Sequence, residues 1–257
     1  MNIAITMTAT YRPEIIIKTL QTFSDNLFRA DLSISNLKIK LIVNLDKIGE
    51  CNFVSTEDIH SIFSHYFDVT VFDAKTPHFG LAFHRVWSQI AEHSDIDFVF
   101  HLEDDWELLQ PVRLSQLLAI MYEYPELAML RLSTTPSGNS TMKQWGHEFQ
   151  WNGHFFVIPK ENRAKLRVAG HPAIIRPCFI REVLPYIDPE KNPEKQISEH
   201  RPEIAAIMDS YIFGVFNYTN SDPLIRDLGR QWMIKENFSK KGNKAWFIEW
   251  EHIKKEE

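Results

Sequence analysis

The residues H-L-E-D-D-W put three acids in a row, Glu103, Asp104 and Asp105, directly after the nearly continuous apolar run D-F-V-F-H-L at residues 97–102. Adjacent carboxylates repel one another unless a cation or a proton relieves them. Two carboxylates separated by one residue can share a divalent ion and leave coordination places for diphosphate oxygens, as Mg2+ or Mn2+ does with a phosphorylated substrate. Such an ion stabilises charge building on a leaving phosphate. The plainer reading is that the acids cap a following helix and complement its positive end. The apolar run decides between the two readings. It reads as a central strand buried on both faces, and open α/β sheets bind ligands at the carboxyl ends of such strands.

Other chemistries have less to stand on. The eleven histidines show neither H-E-x-x-H nor a paired C-x-x-C, so their spacing gives no zinc site. G-x-S-x-G and the Walker pattern are absent, which removes the nucleophile elbow and the P-loop. The two cysteines, Cys51 and Cys178, are a poor disulfide framework and read as free thiols in a reducing compartment.

The elements that must position the acids follow from hydrophobic period. Residues 3–9 alternate as a strand, and Pro13 suits the first position of a helix with stripe Ile16, Leu20, Phe23 and Leu27. Residues 39–46 read as a strand, 56–67 as a helix and 69–73 as a strand. A helix carries Phe83, Val86, Trp87 and Ile90. Pro111 is expected to open a helix with Leu114, Leu117, Leu118 and Met121, ahead of a strand at 128–133. Strand and helix alternate, so the fold class is α/β, a mostly parallel Rossmann-like sheet with helices on both faces. Beyond residue 134 the pattern becomes irregular, with one further helix expected near 193–208. The chain reads as a single domain, residues 1–135 forming a donor half and 136–257 an acceptor half.

Four segments, I-A-I-T-M-T-A-T-Y-R-P, V-N-L-D, H-F-G-L-A-F-H-R-V-W and F-V-F-H-L-E-D-D-W, resemble in order the conserved segments of GT-A glycosyltransferases, especially glycosyltransferase family 2. The likeness covers roughly residues 3–135. It implies a GT-A fold and a nucleotide-sugar donor, with a UDP-sugar favoured. It also implies that Thr8, Thr10, Tyr11 and Arg12 line the nucleotide, with Asp46 near the base. Arg85 would approach the diphosphate, and Asp104 the ribose or sugar. Asp105 would ligate Mn2+ or Mg2+, with Glu103 as a second or water-mediated ligand in a DXD-type motif whose first acid is Glu.

An inverting transfer needs a base for the acceptor hydroxyl. In the resembled family this acid heads a helix. Here Asn192 can cap, Pro193 can open the helix and Glu194 lies in its first turn. Asp209 is the reserve. In R-D-L-G-R-Q-W, Asp227 stands where many relatives place a metal-binding His, and Arg226 and Arg230 suit a diphosphate. Trp145 and Trp151, in Q-W-G-H-E-F-Q-W-N-G-H, can stack on a ring or pack a hairpin core.

The net charge of −6 argues against a nonspecific nucleic-acid binder, leaving nucleic acid only as an acceptor. No apolar run is long enough to span a bilayer, so a cytoplasmic protein is expected. The leading expectation is an inverting, metal-dependent hexosyl- or pentosyltransferase acting on a glycan, a protein or a modified nucleobase of viral DNA. The alternatives are a nucleotidyltransferase on a similar sheet and a non-catalytic carbohydrate-binding protein on a degenerate transferase fold.

Overall fold

The computed structural model describes residues 1–31, 33–165, 170–197, 201–243 and 247–252. The chain runs β1 (Asn2–Tyr11), α1 (Pro13–Phe23), β2 (Lys38–Gly49), α2 (Thr56–Tyr66), β3 (Asp68–Ala74), α3 (Phe79–Glu92), β4 (Phe98–Glu103), β5 (Trp106–Leu108), α4 (Leu114–Glu123) and β6 (Leu127–Leu132). It continues with β7 (Thr141–Gln144), β8 (His147–Trp151), β9 (Phe156–Val157), β10 (Ala173–Ile175), α5 (Pro177–Val183), α6 (Pro193–Lys195) and α7 (Pro202–Asp209). The last elements are β11 (Ile212–Phe216), β12 (Ile225–Asp227), α8 (Gly229–Lys235), β13 (Phe238–Asn243) and β14 (Phe247–His252).

One sheet carries the order β3-β2-β1-β4-β10-β6-β11-β9-β8-β7. Strands β3, β2, β1 and β4 are mutually parallel. Strand β10 is inserted antiparallel between β4 and β6, so β6 points the same way as β4, and β11 follows β6 in parallel. The expected α/β, mostly parallel sheet is what forms. The second half is less separate than its irregular sequence suggests, because β10, β11 and β9 to β7 complete the same sheet.

Period-two alternation splits the core into two layers. Ile3, Ile5 and Met7 of β1 pack on the α1, α2 and α4 side, with Leu20, Phe63 and Leu117. Ala4 of β1 packs on the α3 and α5 side, with Phe83, Trp87 and Ile180. Residues on one strand reach both layers because successive side chains point to opposite faces. The helix starts are set locally. Ser55 and Asp58 close a capping box on α2, and Pro13 sits in the first turn of α1.

Two element expectations need correction. Pro111 does not open α4, which starts at Leu114 behind Arg113 in an extended conformation. The helix expected near 193–208 is two pieces, α6 and α7, with residues 198–200 outside the described set. Pro202 supplies the physical reason. A proline pushes its predecessor out of the helical region, and Arg201 is extended at φ −114°, ψ 117°. No helix among the described residues is long and apolar enough to cross a membrane.

Candidate functional site

The acidic cluster follows β4, fourth strand of the sheet, with Thr8 of β1 in register with Glu103 and Thr10 opposite Asp46 of β2. The parallel run β2-β1-β4 therefore delivers the ends of the resembled segments to one edge. The three acids meet three different surroundings there.

Asp104 is buried and tied down. Its carboxylate accepts from the Thr10 N–H (2.9 Å) and Oγ1 (3.3 Å), from Arg12 Nε (3.3 Å) and from Arg12 Nη2. Its own carbonyl accepts from Thr19 Oγ1 at 2.8 Å. Burial pushes the Asp104 carboxyl up, while Arg12 pulls against it. Burial also opposes the Arg12 charge, but Asp104 and Asp105 outweigh it and hold the guanidinium above its ordinary pKa. Arg12 is itself buried, 5.2 Å from the centroid of the Trp232 ring. Asp104 and Arg12, the residues expected toward the ribose or sugar and along the nucleotide, form a buried ion pair that closes the β1–α1 turn. Tyr11 is likewise buried, its hydroxyl 2.7 Å from Thr56 Oγ1 at the start of α2.

Asp105 is half-buried between Arg12 Nη1 at 3.3 Å and the start of α8. A Cβ on Gly229 would lie 2.1 Å from Asp105 Oδ2, and the Leu228 N–H donates to the Asp105 carbonyl at 2.8 Å. The segment R-D-L-G-R is brought here by the antiparallel β5–β12 ladder, which sets Asp227 opposite Trp106. Its charged residues are engaged in holding that ladder. Arg226 Nε donates to Glu107 at 3.0 Å, and Lys18 Nζ lies 3.1 Å from the same carboxylate. Burial would raise Glu107, yet Arg226 and Lys18 hold it below the usual carboxylate range. Asp227 Oδ1 accepts from the N–H groups of Gly229 and Arg230 and so caps α8. Arg230 is exposed in that first turn.

Glu103 lies on the β10 side. Gly170, at φ +91°, stands between it and α6: a Cβ there would fall 2.0 Å from Glu194 Oε1 and 3.8 Å from Glu103 Oε1. Glu194 thus reaches the cluster, as the Asn192-Pro193-Glu194 reading expects, with Asn192 Oδ1 accepting from the Lys195 N–H at 3.3 Å. Gly80 at the head of α3 makes this possible. A Cβ on it would lie 2.3 Å from the Pro189 carbonyl and 2.5 Å from that of Lys191, so the loop leading to Glu194 sits directly on Gly80.

Asp46 closes the other side. It accepts from Asn44 Nδ2 (2.7 Å) and the His78 N–H (3.2 Å), while burial pushes its carboxyl up. Arg85 bonds Asn44 Oδ1 at 2.5 Å, on the β2 side rather than beside the acidic cluster. Asp209 is not brought in. It precedes β11, whose start lies at the opposite end of the sheet from Glu103, and it pairs with Lys160 at 3.0 Å. Glu103, Asp105 and Asp227 do not gather as a ligand set. Among the described residues no group of three His, Cys, Asp or Glu is placed to hold a metal ion.

Three neighbours were not singled out as site residues: Trp106, whose Nε1 donates to the Gly170 carbonyl at 3.1 Å, His171, stacked on Trp106 at 5.1 Å, and the buried Arg131. Only Trp106 carried a signal, its adjacency to the acids. His171 and Arg131 are joined to them by the insertion of β10, which no local pattern announces.

A mixed sheet with an acid-ended central strand, a parallel first half and a C-terminal segment folded back over the acids is a GT-A-like fold. Solved structures of S. aureus TarS share it. TarS 1-349 aligns with TM-score 0.54 and 13% identity over 91% of this chain and 63% of that chain. A second TarS structure aligns with TM-score 0.53 and 12% identity over 87% of this chain and 36% of that one. TarS 1-349 in complex with UDP aligns with TM-score 0.52 and 14% identity over 88% and 60%. The chain spans less than two thirds of the length of these neighbours, and the likeness is one of fold. No protein-family model and no curated protein matches the chain.

Proposed function

We propose that the protein transfers a hexosyl or pentosyl group from a UDP-sugar to an acceptor hydroxyl, with inversion and with help from a divalent cation. The observation that carries this reading is that Glu194 and Glu103 lie on the two sides of Gly170 at the end of β4, one residue from the buried Arg12–Asp104 pair. The UDP complex of a structural neighbour supports the choice of nucleotide, and the resemblance to glycosyltransferase family 2 supports the reaction class.

The chemistry assigns the residues as follows. Thr8, Thr10 and Asp46, at the ends of β1 and β2, take the nucleoside. Glu194 accepts the proton of the acceptor hydroxyl as its oxygen bonds the anomeric carbon. The bond from that carbon to the diphosphate breaks, and UDP leaves with the electron pair.

A hard divalent ion commonly keeps several waters and substrate phosphates and takes only one or two carboxylates. The half-buried Asp105, with Glu103 at water-mediated range, fits an ion that arrives with the diphosphate rather than a preformed protein cage. Mg2+ or Mn2+ would there offset charge on the leaving diphosphate. Asp105 already shares its charge with Arg12, a fixed cation at the same place.

Thermal shift with UDP, UDP-sugars and other nucleotide-sugars, with and without Mn2+, tests the reading, since a ligand of the native state raises apparent stability. UDP and one UDP-sugar should raise the melting temperature, more so with Mn2+, and that donor should hydrolyse slowly. No shift from any nucleotide under either condition would overturn the proposal.

A further inference from the structure

The hairpin β7–β8 turns through Trp145 and Gly146, at φ +51° and +80°. A two-residue turn with both φ positive favours Asn, Asp or Gly at these positions. A bulky side chain in the left-handed region is an outlier, and outliers of this kind cluster at ligand clamps. Burial does not explain this one, because Trp145 is 55% exposed. Its partner in the Trp-rich stretch, Trp151, packs into the core against Phe156.

The indole of Trp145 is also held in place. The Arg131 guanidinium lies 5.5 Å from its ring centroid, and the His171 ring stands 5.3 Å away, inclined at 63°. His171 stacks on Trp106, which bonds the Gly170 carbonyl, and Gly170 touches Glu194. A column of rings thus connects the surface to the carboxylates. Within it His171 Nδ1 is buried and has no hydrogen-bond partner among the described residues. Burial, with Arg131 adding to it, pushes His171 down to about 3, so the ring is neutral and packs beside the buried Arg131 guanidinium. The column stands over β6 and β10, across β4 from the nucleotide ends of β1 and β2. That is the acceptor side.

We propose that Trp145 is the platform of an acceptor subsite that stacks on the C–H face of a sugar ring, with His171 and Arg131 bracing the indole from beneath. This rests on the glycosyl-transfer reading and narrows its acceptor to a carbohydrate. A sugar ring offers an apolar C–H face, matching an exposed indole held rigid from beneath, and leaves its hydroxyl rim in solvent. The chain's net charge of −6 weighs against a nucleic-acid strand in the same place.

The test follows the Trp145 indole N–H by NMR in the full chain, its resonance assigned with Trp145→Phe. Methyl glucosides, methyl galactosides and N-acetylglucosaminides are titrated separately, then uridine and UDP. At least one glycoside should shift the Trp145 signal. Trp145→Phe should still bind it, and Trp145→Ala should weaken binding by about tenfold or more, the scale of stacking on one ring. Melting temperature confirms that each variant is folded. No perturbation by any glycoside up to its solubility limit, equal binding by Trp145→Ala, or a response to uridine in place of glycosides would each overturn the proposal. If UDP stabilises the protein while glycosides leave Trp145 untouched, only the platform fails. If glycosides seat on Trp145 and UDP does nothing, the donor reading fails and a carbohydrate-binding site remains.

Discussion

Glu103 and Asp104 are adjacent in the chain and have opposite surroundings. Asp104 is sealed at 2% exposure against a guanidinium, a threonine and the backbone of the β1–α1 turn. Glu103, still on the strand and half-buried, lies across Gly170 from Glu194 of α6. A buried, paired charge fixes geometry. On the proposed function, the motif divides into a scaffold part at Asp104 and a chemical part at Glu103, and Asp105, touching both Arg12 and α8, lies between them.

The division is broken most sharply by Glu194→Gln. If the Glu103 side is chemical, turnover should fall by about 10²–10⁴, the range for loss of a general base. The melting temperature and UDP affinity should stay near those of the wild type. Steady-state kinetics with calorimetric UDP binding check this. Turnover within a few-fold of wild type would return Glu194 to the role of a helix-start residue.

Asp104→Ala should behave in the opposite way. Removing one partner of a buried pair strands Arg12 and costs about 3–5 kcal/mol, read by urea or thermal unfolding. Asp105→Asn, at a partly solvated carboxylate, should leave the fold nearly as stable while transfer is lost. Equal stability losses in the two variants would erase the distinction between the acids.

Much of this site could be read before the structure. The strands that deliver it are long apolar runs with clear period, and Glu194 carries the signals of a helix start, so those positions were legible. The fate of Asp104 was not, because its partner Arg12 is distant in sequence and ion pairing leaves no local pattern. The joining of His171 and Arg131 to the cluster was hidden for a related reason. It depends on β10, three residues long, inserting between β4 and β6. Asp209 was the reserve to Glu194 in sequence, and strand direction puts it at the other end of the sheet. Gly80 was visible as a glycine in a familiar loop, but the contact it permits was not.

That contact yields a smaller effect. Gly80→Ala would drive a methyl into the carbonyls of Pro189 and Lys191. Backbone cannot swing aside as a side chain can, so a loss of about 1–3 kcal/mol is expected. Turnover should also drop as the loop carrying Glu194 shifts, with UDP affinity kept. Loss of UDP affinity with turnover intact would show that Gly80 serves the donor side instead.

The pH dependence of stability compares two buried histidines with the acids. Burial pushes His101 down to about 4 and His171 to about 3. Both are neutral in the folded state, whereas the unfolded chain takes up protons near pH 6.5. The unfolded state therefore binds more protons between pH 6.5 and the folded values. The stabilising contribution is full above pH 6.5 and is lost as pH falls toward 4, at about 1.4 kcal/mol per pH unit for each ring. Unfolding measured from pH 7.5 to 5 should show this slope. His101→Gln should flatten it, and an unchanged slope would place the effect elsewhere.

The smallest effect concerns Arg226, which the sequence offered to the diphosphate and the structure gives to Glu107. The guanidinium is 58% exposed, and Glu107 keeps Lys18 when it is removed. An exposed pair with a substitute cation contributes about 0–1 kcal/mol. Arg226→Ala should therefore lower the melting temperature slightly, and added salt should mask part of that loss by screening. UDP affinity should not change. A diphosphate ligand would behave differently, since losing its charged hydrogen bonds weakens binding by about tenfold or more. Calorimetric titration of UDP into the variant separates the two. A tenfold loss of affinity with unaltered stability would move Arg226 from the β5–β12 ladder to the donor.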